Sequence, residues 1–516
     1  MDILSIGLAF SPVLLVLALL VVWRLPADSA GAIGWAAATA VACLYFHTDP
    51  VVALKAGLSG LVASFPISLV VAASIFQITV MIESGAVARV VALIKTVAPG
   101  DQIVQIMLIN VGFGTLITSL GAVPVSILPP IMLALGYSSF AAIMLPAIGY
   151  DALCTYALLG IPAVVFANFT GQVVTEVGML FARYMPVIST CIALSMLLLA
   201  GGWDMLRRGV KPAILAGVTA GLVAMGMALL GLVTITGIAA GLAVIAVMLV
   251  YLKATGRPLV NRAALTEKDL EAEKRLSLWA ALSPWVIMSL ISVVVNAPFL
   301  PFFDLTFKQW DMPLTIIPGA PEKIRLFWQA YFWVLTCTLM SLPLLKLPLS
   351  DLGRVAKISV RRSARPALSA GIFFAIAYVM NHSGKGPDWA LTAPAHNMIY
   401  IMADGSARAF GTLYPLVAPF LGLLGGFISG SESSSIAMLT KLHLSTADKI
   451  GASGLIVAAG SAIGGGLASV ISPAKLQNAA ASIDRIRDAS QVIRPAFIIS
   501  LCITAVCAVM TLFWAF

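Results

Sequence analysis

Apolar residues run through this chain in blocks of about 20, and most charged residues lie in the short stretches between the blocks. An apolar run of that length, folded as an α-helix, crosses the hydrocarbon core of a bilayer. Because the blocks recur along the whole length, the pattern predicts an all-α polytopic membrane protein with about 12 transmembrane helices. The first block, residues 1–24, lacks a basic leader and a small-residue cleavage site, so we expect a retained helix there.

Composition and charge support the same class. Of the 516 residues, 60% are hydrophobic and 10% are charged, whereas a soluble domain carries about 25% charged residues. The net charge of +9 comes from basic loops, chiefly 205–211, 253–275 and 346–365, which we expect to face the cytoplasm. That bias explains the charge without a nucleic-acid partner. The six cysteines lie in apolar blocks with no CxxC pair, and we expect neither a metal nor a cofactor.

Two apolar stretches are broken by polar and small residues in the middle. They cover about 103–136 and about 411–443, and each has two apolar arms around a Gly-, Ser-, Thr- or Pro-containing centre. Irregular backbone at membrane depth is tolerated only where protein or a water-filled cavity surrounds it. We therefore predict that both stretches are re-entrant hairpins.

The order of elements around the two hairpins repeats. Each hairpin is followed about 35 residues later by a break, "LLGIP" at 158–162 and "VISPAK" at 470–475. This order predicts two inverted repeats, which in transporters place the substrate site near the bilayer midplane. The predicted divisions are N-terminal helices 1–57, a first repeat 58–204, connecting helices and loops 205–365, including a linker about 298–326 on the outer side, and a second repeat 366–516.

The second hairpin has an unusually polar tip. Ser431, Ser433, Ser434 and Ser435 surround Glu432 inside an apolar stretch. Serines also allow close packing of membrane helices, but the density of hydroxyls beside an acid favours a binding site. Free N–H groups and hydroxyls at a helix N-terminus can hold a small anion.

Several of these segments resemble the L-lactate permease family, whose members transport lactate and glycolate. The resemblance covers most of 60–200 and 366–516. Its motifs are "FLGLLGGFISGSESSS" (420–435), "GLIVAAGSAIGGGLASVISPAK" (454–475), "AYVMNHSG" (377–384), "TVMIESGAVARV" (79–90) and "GFGTLITSLGAVPVSI" (112–127). In the first hairpin Thr118 and Ser119 stand where the family has an acidic core. Asp151 is a candidate to replace that acid.

The candidate site residues follow from the hairpins and the resemblance. A buried acid in a membrane is costly unless it is paired or functional. Glu432 is therefore the first candidate for the proton-carrying carboxylate, and Asp151 is the second. The candidates for substrate binding are Thr115, Thr118, Ser119, Ser431, Ser433, Ser434, Ser435, Ser472 and Lys475. Asp151 could instead fix helix packing, and Lys475 could be a lysine that extends towards the membrane surface.

The function predicted from these features is proton-coupled uptake of a small organic anion by alternating access. The resemblance implies a 2-hydroxymonocarboxylate such as lactate or glycolate as the substrate and a bacterial inner membrane as the location. Three alternatives remain open: a sodium-coupled or di-acid carrier, an intramembrane enzyme, and a passive channel. No nucleotide-binding loop, metal-ligand cluster or nucleophile motif occurs in the sequence. The sequence leaves the oligomeric state open, with a homodimer as one option.

Overall fold

A computed structural model of the chain describes residues 3–23, 25–98, 100–121, 124–296, 300–469 and 489–516, together with 475–476, 479–480, 482–483 and 485. The chain is almost entirely helical. The α-helices are α1 (Ile3–Val21), α2 (Ala27–Leu44), α3 (Pro50–Ala63), α4 (Phe65–Glu83), α5 (Ala86–Thr96), α6 (Gln102–Ile106), α7 (Gly114–Ser119), α8 (Pro124–Ala134), α9 (Ser139–Gly149), α10 (Ala157–Thr170), α11 (Val174–Ala182), α12 (Met185–Leu229), α13 (Thr236–Ala254), α14 (Glu267–Arg275), α15 (Leu278–Asn296), α16 (Ala330–Leu345), α17 (Leu349–Asn381), α18 (Met398–Phe410), α19 (Tyr414–Ser429), α20 (Glu432–Ile450), α21 (Gly454–Ser469) and α22 (Ala489–Ala515).

Short segments of other structure complete the fold. π-Helical segments cover Met107–Phe113 and Asp304–Gln309, and 3₁₀-helical segments cover Tyr150–Tyr156, Val233–Ile235, Arg262–Ala264, Pro394–His396 and Gly411–Leu413. Two antiparallel strands, β1 (Pro313–Ile317) and β2 (Ala320–Lys323), form a hairpin.

The predicted membrane class is confirmed. Within the described residues, 11 helical segments are long and apolar enough to cross a bilayer, and four shorter apolar helices accompany them. A helix satisfies its own backbone hydrogen bonds, which is why it can lie in hydrocarbon. The chain is therefore an all-α, multi-pass membrane protein. The inverted repeats and the domain boundaries stay predictions.

The basic segment 205–211 is helical, and the prediction of a loop there is wrong. It lies in α12, whose two arms are separated by a two-residue turn at Gly201–Gly202, where Gly202 has a φ of 64°. The arms pack antiparallel, since Ser189 Oγ donates a hydrogen bond to Gly217 O at 2.7 Å. Met, Arg and Lys are good helix formers, so the second arm begins directly after the glycines and includes these charges.

Two further stretches differ from the sequence prediction. Most of the basic segment 346–365 belongs to α17, which runs without interruption for 33 residues. The linker about 298–326, predicted to lie on the outer side, contains the β-hairpin in addition to the short helical segment Asp304–Gln309. Glu322 of β2 accepts hydrogen bonds from Tyr378 and Ser59, at 2.8 and 2.9 Å. These bonds tie the β-hairpin to α17 and α3.

Both predicted membrane hairpins fold as helix–turn–helix units. In the first, α6 continues through the π-helical segment into α7 and turns at Leu120–Gly121, where Gly121 has a φ of 92°; α8 begins at Pro124. In the second, α19 and α20 meet at Gly430 and Ser431. Each hairpin contributes side chains to one continuous buried apolar core. Their re-entrant course stays a prediction.

The second hairpin is closely packed against α21. A Cβ atom at Gly422 would collide with the backbone carbonyl of Ser461, and one at Gly426 would collide with that of Gly465. Spacing of small residues by four positions lets two membrane helices approach to backbone contact. Ser435 of α20 adds a hydrogen bond from its Oγ to Gly422 O at 3.1 Å. The three helices α19, α20 and α21 therefore form one tightly packed unit.

We expect Gly426→Ala to destabilise the protein by about 1–3 kcal/mol, because the methyl group has no space between α19 and α21. The midpoint of thermal unfolding of the detergent-purified protein should fall. Gly226→Ala is the matched control, since Gly226 is helical and has no atom within 4 Å of its Cβ position. Equal midpoints for the two variants would show that the helices are not in backbone contact.

Candidate functional site

A break in one helix forms the centre of the site. The 3₁₀-helical segment Tyr150–Tyr156 is followed by three residues with left-handed backbone, Leu158, Leu159 and Gly160, with φ of 52°, 57° and 74°. Non-glycine residues rarely adopt positive φ, and two in succession interrupt the right-handed helix. The predicted break at 158–162 is present. The segment before it packs against α7 and α21, and α10 packs against α20, so this broken helix lies between the two hairpins.

The tip of the second hairpin presents a buried acid to the broken helix. Gly430, with a φ of 65°, ends α19, and the Ser431 side chain caps α20 by accepting a hydrogen bond from the Ser434 N–H at 3.4 Å. Glu432 is the first residue of α20 and is only 3% exposed. Its Oε1 accepts a hydrogen bond from Thr155 Oγ1 at 2.9 Å. This bond joins the hairpin tip to the broken helix.

The second carboxylate oxygen lies in a confined space. A Cβ atom at Gly466 of α21 would lie 2.9 Å from Glu432 Oε2 and 3.5 Å from Cys154 Cβ. Cys154 is a second hydrogen-bond partner of the carboxyl group, while Oε2 is buried and meets no N–H or O–H donor among the described residues. Lys475 is close enough to the carboxylate for an electrostatic interaction. A charged carboxylate in such surroundings carries a large desolvation penalty, so the geometry favours an acid that can hold a proton.

Five of the hydroxyl candidates fall into two groups. Thr118, Ser119 and Ser435 donate to backbone carbonyls of their own hairpins, at 2.6, 2.9 and 3.1 Å. These three therefore stabilise the hairpin arms. The hydroxyls of Thr115 and Ser434 are buried and have no hydrogen-bond partner in the described part of the chain. Each hairpin thus holds one buried hydroxyl that is available to another group.

Sequence reasoning missed Thr155 and Gly466. Thr155 follows Asp151 by four residues, where polar residues interrupt an apolar block. This position is the one sequence feature that could have identified Thr155 as a site residue. Its contact with Glu432 joins residues 277 positions apart, which no local pattern reveals.

Ser433 is buried beside Glu432. Two predicted residues are not tested here, since Ser472 and the side chain of Asp151 lie outside the described structure.

Comparisons with known proteins cover nearly the whole chain. The L-lactate permease family matches residues 5–516. The chain is 25% identical to the L-lactate permease of Escherichia coli (strain K12), over 93% of this chain and 90% of that protein. It is 24% identical to the glycolate permease GlcA of the same strain, over 99% and 96%. Identity to the L-lactate permease of Bacillus subtilis (strain 168) is 24%, over 92% and 89%. The matches include both hairpins and the broken helix.

We expect Thr155→Val to destabilise the protein by about 1–3 kcal/mol, because it leaves a buried carboxyl oxygen without its donor. Thr155→Ser keeps the hydroxyl and should lose less. The check is the midpoint of thermal unfolding, measured also in a Glu432→Leu background. There the Thr155→Val effect should shrink, since the two side chains are coupled through the hydrogen bond. An undiminished effect in that background would contradict the contact.

Proposed function

The chain belongs to the L-lactate permease family, and we propose that it is a proton-coupled symporter of 2-hydroxymonocarboxylates such as lactate and glycolate. Relatives named for lactate and for glycolate both support this substrate class. The family consists of permeases, so the comparisons do not support an intramembrane enzyme. The expected location is a bacterial inner membrane.

The observation that carries the proposal is the buried carboxyl group of Glu432. Its side chain is 3% exposed, it lies at the tip of a hairpin, and Thr155 is its hydrogen-bond donor. Binding a proton removes the charge and with it the desolvation penalty. In our proposal Glu432 takes up the proton that accompanies the substrate and releases it on the other side. Asp151 is the second candidate for this role.

The substrate carboxylate is proposed to bind next to this acid. The N-terminus of α20 carries free N–H groups and the positive end of the helix dipole, which favour an anion. Ser434 and Thr115 offer buried hydroxyls without partners, and Ser431, Ser433 and Lys475 lie on the same hairpin or near its acid. Substrate anion and proton together are neutral, which lowers the electrostatic cost of moving both through a site of low dielectric.

Alternating access is the proposed transport cycle. The two predicted repeats, 58–204 and 366–516, would each contribute one hairpin to a midplane site, as in other transporters built from inverted repeats. The bond between Thr155 and Glu432 lies where the two repeats would meet. Substrate and proton would then enter from one side of the pair and leave from the other.

The proposal predicts that proteoliposomes containing the wild-type protein accumulate radiolabelled lactate and glycolate when an inward proton gradient is imposed. A sodium gradient without a proton gradient should not drive accumulation. Glu432→Gln should lose at least about 90% of the gradient-driven accumulation, because an amide cannot release and rebind the proton. Glu176→Gln is the matched control, since Glu176 is exposed on α11, and it should accumulate substrate like the wild type.

Two results would overturn the proposal. If wild-type vesicles accumulate neither acid under a proton gradient, the substrate class is wrong. If Glu432→Gln accumulates substrate as the wild type does, Glu432 does not carry the proton.

A further inference from the structure

A cavity lined by both polar and apolar side chains lies away from the Glu432 site. Its volume is about 560 Å³, and it is lined by the β-hairpin and by parts of α3, α4, α10, α17, α18 and α20. Lys441 lines it and follows Glu432 by nine residues in α20, which is about 13 Å along the helix axis. The volume falls in the range of about 300–1,000 Å³ that is typical of small-molecule sites. The cavity is thus large enough for a small organic anion and is separate from the hairpin tip.

Basic side chains line this cavity, and the lysine among them that belongs to α20 is exposed. Lys441 forms no ion pair with any described residue. His382 also lines the cavity. Its Nδ1 accepts a hydrogen bond from Lys385 Nζ at 3.0 Å, and Lys441 lies close enough to the ring for an electrostatic interaction. Both charged neighbours of this histidine are therefore positive. Burial and the charges of these two lysines lower the pKa of His382 to about 4, so the ring is neutral and the positive charge at the cavity comes from lysine and arginine side chains.

The remaining charges at the cavity leave the balance positive. Glu322 is the one carboxyl group among the described residues that line it, and both of its hydrogen bonds go to Oε1. Burial raises the pKa of Glu322, and the bonds from Tyr378 and Ser59 oppose that rise only in part. Lys323 is paired with Asp311 at 2.9 Å, and the Arg325 guanidinium lies 3.9 Å from the Phe307 ring centre. Basic groups outnumber the single acid.

We propose that this cavity is a second, weaker binding site for the transported carboxylate, through which the anion passes before it reaches the hairpin tip, with Lys441 as its main anion-binding group. The inference rests on the proposed function, because it takes the transported anion as the ligand. A cleft of one charge sign with low-dielectric walls concentrates ions of the opposite sign. The cavity would raise the local substrate concentration without taking part in proton transfer.

The test compares the KM and the maximal rate of lactate uptake between variants that remove a positive charge from the cavity and a variant that removes its negative charge. Lys441→Gln should raise KM by about three- to tenfold and leave the maximal rate unchanged, because it removes attraction but not the transport machinery. Lys441→Arg keeps the charge and should restore KM. Glu322→Gln removes the one acid and should lower KM. Lys449→Gln is the matched control, since Lys449 lies on the same helix, is paired with Asp404 and does not line the cavity.

Ionic strength supplies an independent readout. Added salt screens surface charges, so wild-type KM should rise towards that of Lys441→Gln, whose own KM should change little. Binding of radiolabelled lactate to the detergent-purified protein tests the site without transport: the wild type should bind at two sites and Lys441→Gln at one. The inference is overturned if Lys441→Gln keeps the wild-type KM and both binding sites, or if only its maximal rate falls.

Failure of the second binding site can be distinguished from failure of the proposed transport function. If wild-type vesicles accumulate a different organic anion, the same KM comparison is made with that anion, and the cavity is judged by the result. If the wild type accumulates lactate and Glu432→Gln does not, while Lys441→Gln behaves as the wild type, the proposed function stands and the second site is wrong.

Discussion

The hydrogen bond from Thr155 to Glu432 is the interaction on which the site depends. A carboxyl group buried at the start of a helix needs a donor, and the left-handed turn at Leu158–Gly160 lies just beyond the residue that supplies it. Gly466 leaves the space that the second carboxylate oxygen occupies. Any displacement of the second hairpin relative to the broken helix must break this bond. The bond therefore links the acid at the hairpin tip directly to the broken helix.

Close helix packing joins the second hairpin and α21 into one tightly packed unit. Gly422 and Gly426 bring α19 into backbone contact with α21, and Ser435 ties α20 to α19. The hydroxyls of Thr118, Ser119 and Ser435 form hydrogen bonds within the hairpin arms. Those of Ser434 and Thr115 remain available for a ligand. At the tip of the second hairpin, Glu432 Oε2 and Ser434 Oγ are buried without a hydrogen-bond partner among the described residues.

The membrane class, the family, both hairpins and the buried acid could be predicted from the sequence, because each is visible as a local pattern of residues. Twenty-residue apolar blocks, a Gly-Ser interruption and a lone glutamate are visible along the chain. Thr155 could not be identified as the partner of Glu432, since their contact exists only after the two halves pack. The turn at Gly201–Gly202 was missed because the adjacent charges resemble a loop. The β-hairpin was missed because Glu322 of β2 is held by tertiary bonds from Ser59 and Tyr378, which no local pattern reveals.

The central claim is that Glu432 carries the proton and does not itself hold the substrate. It is tested most directly by exchange of labelled for unlabelled lactate across vesicles loaded with lactate, at equal pH on both sides, in Glu432→Gln. A permanently neutral side chain mimics the protonated acid, so exchange should continue although proton-driven accumulation is lost. Loss of exchange in a folded variant would contradict the account, because it would make Glu432 part of substrate binding or of the structure alone.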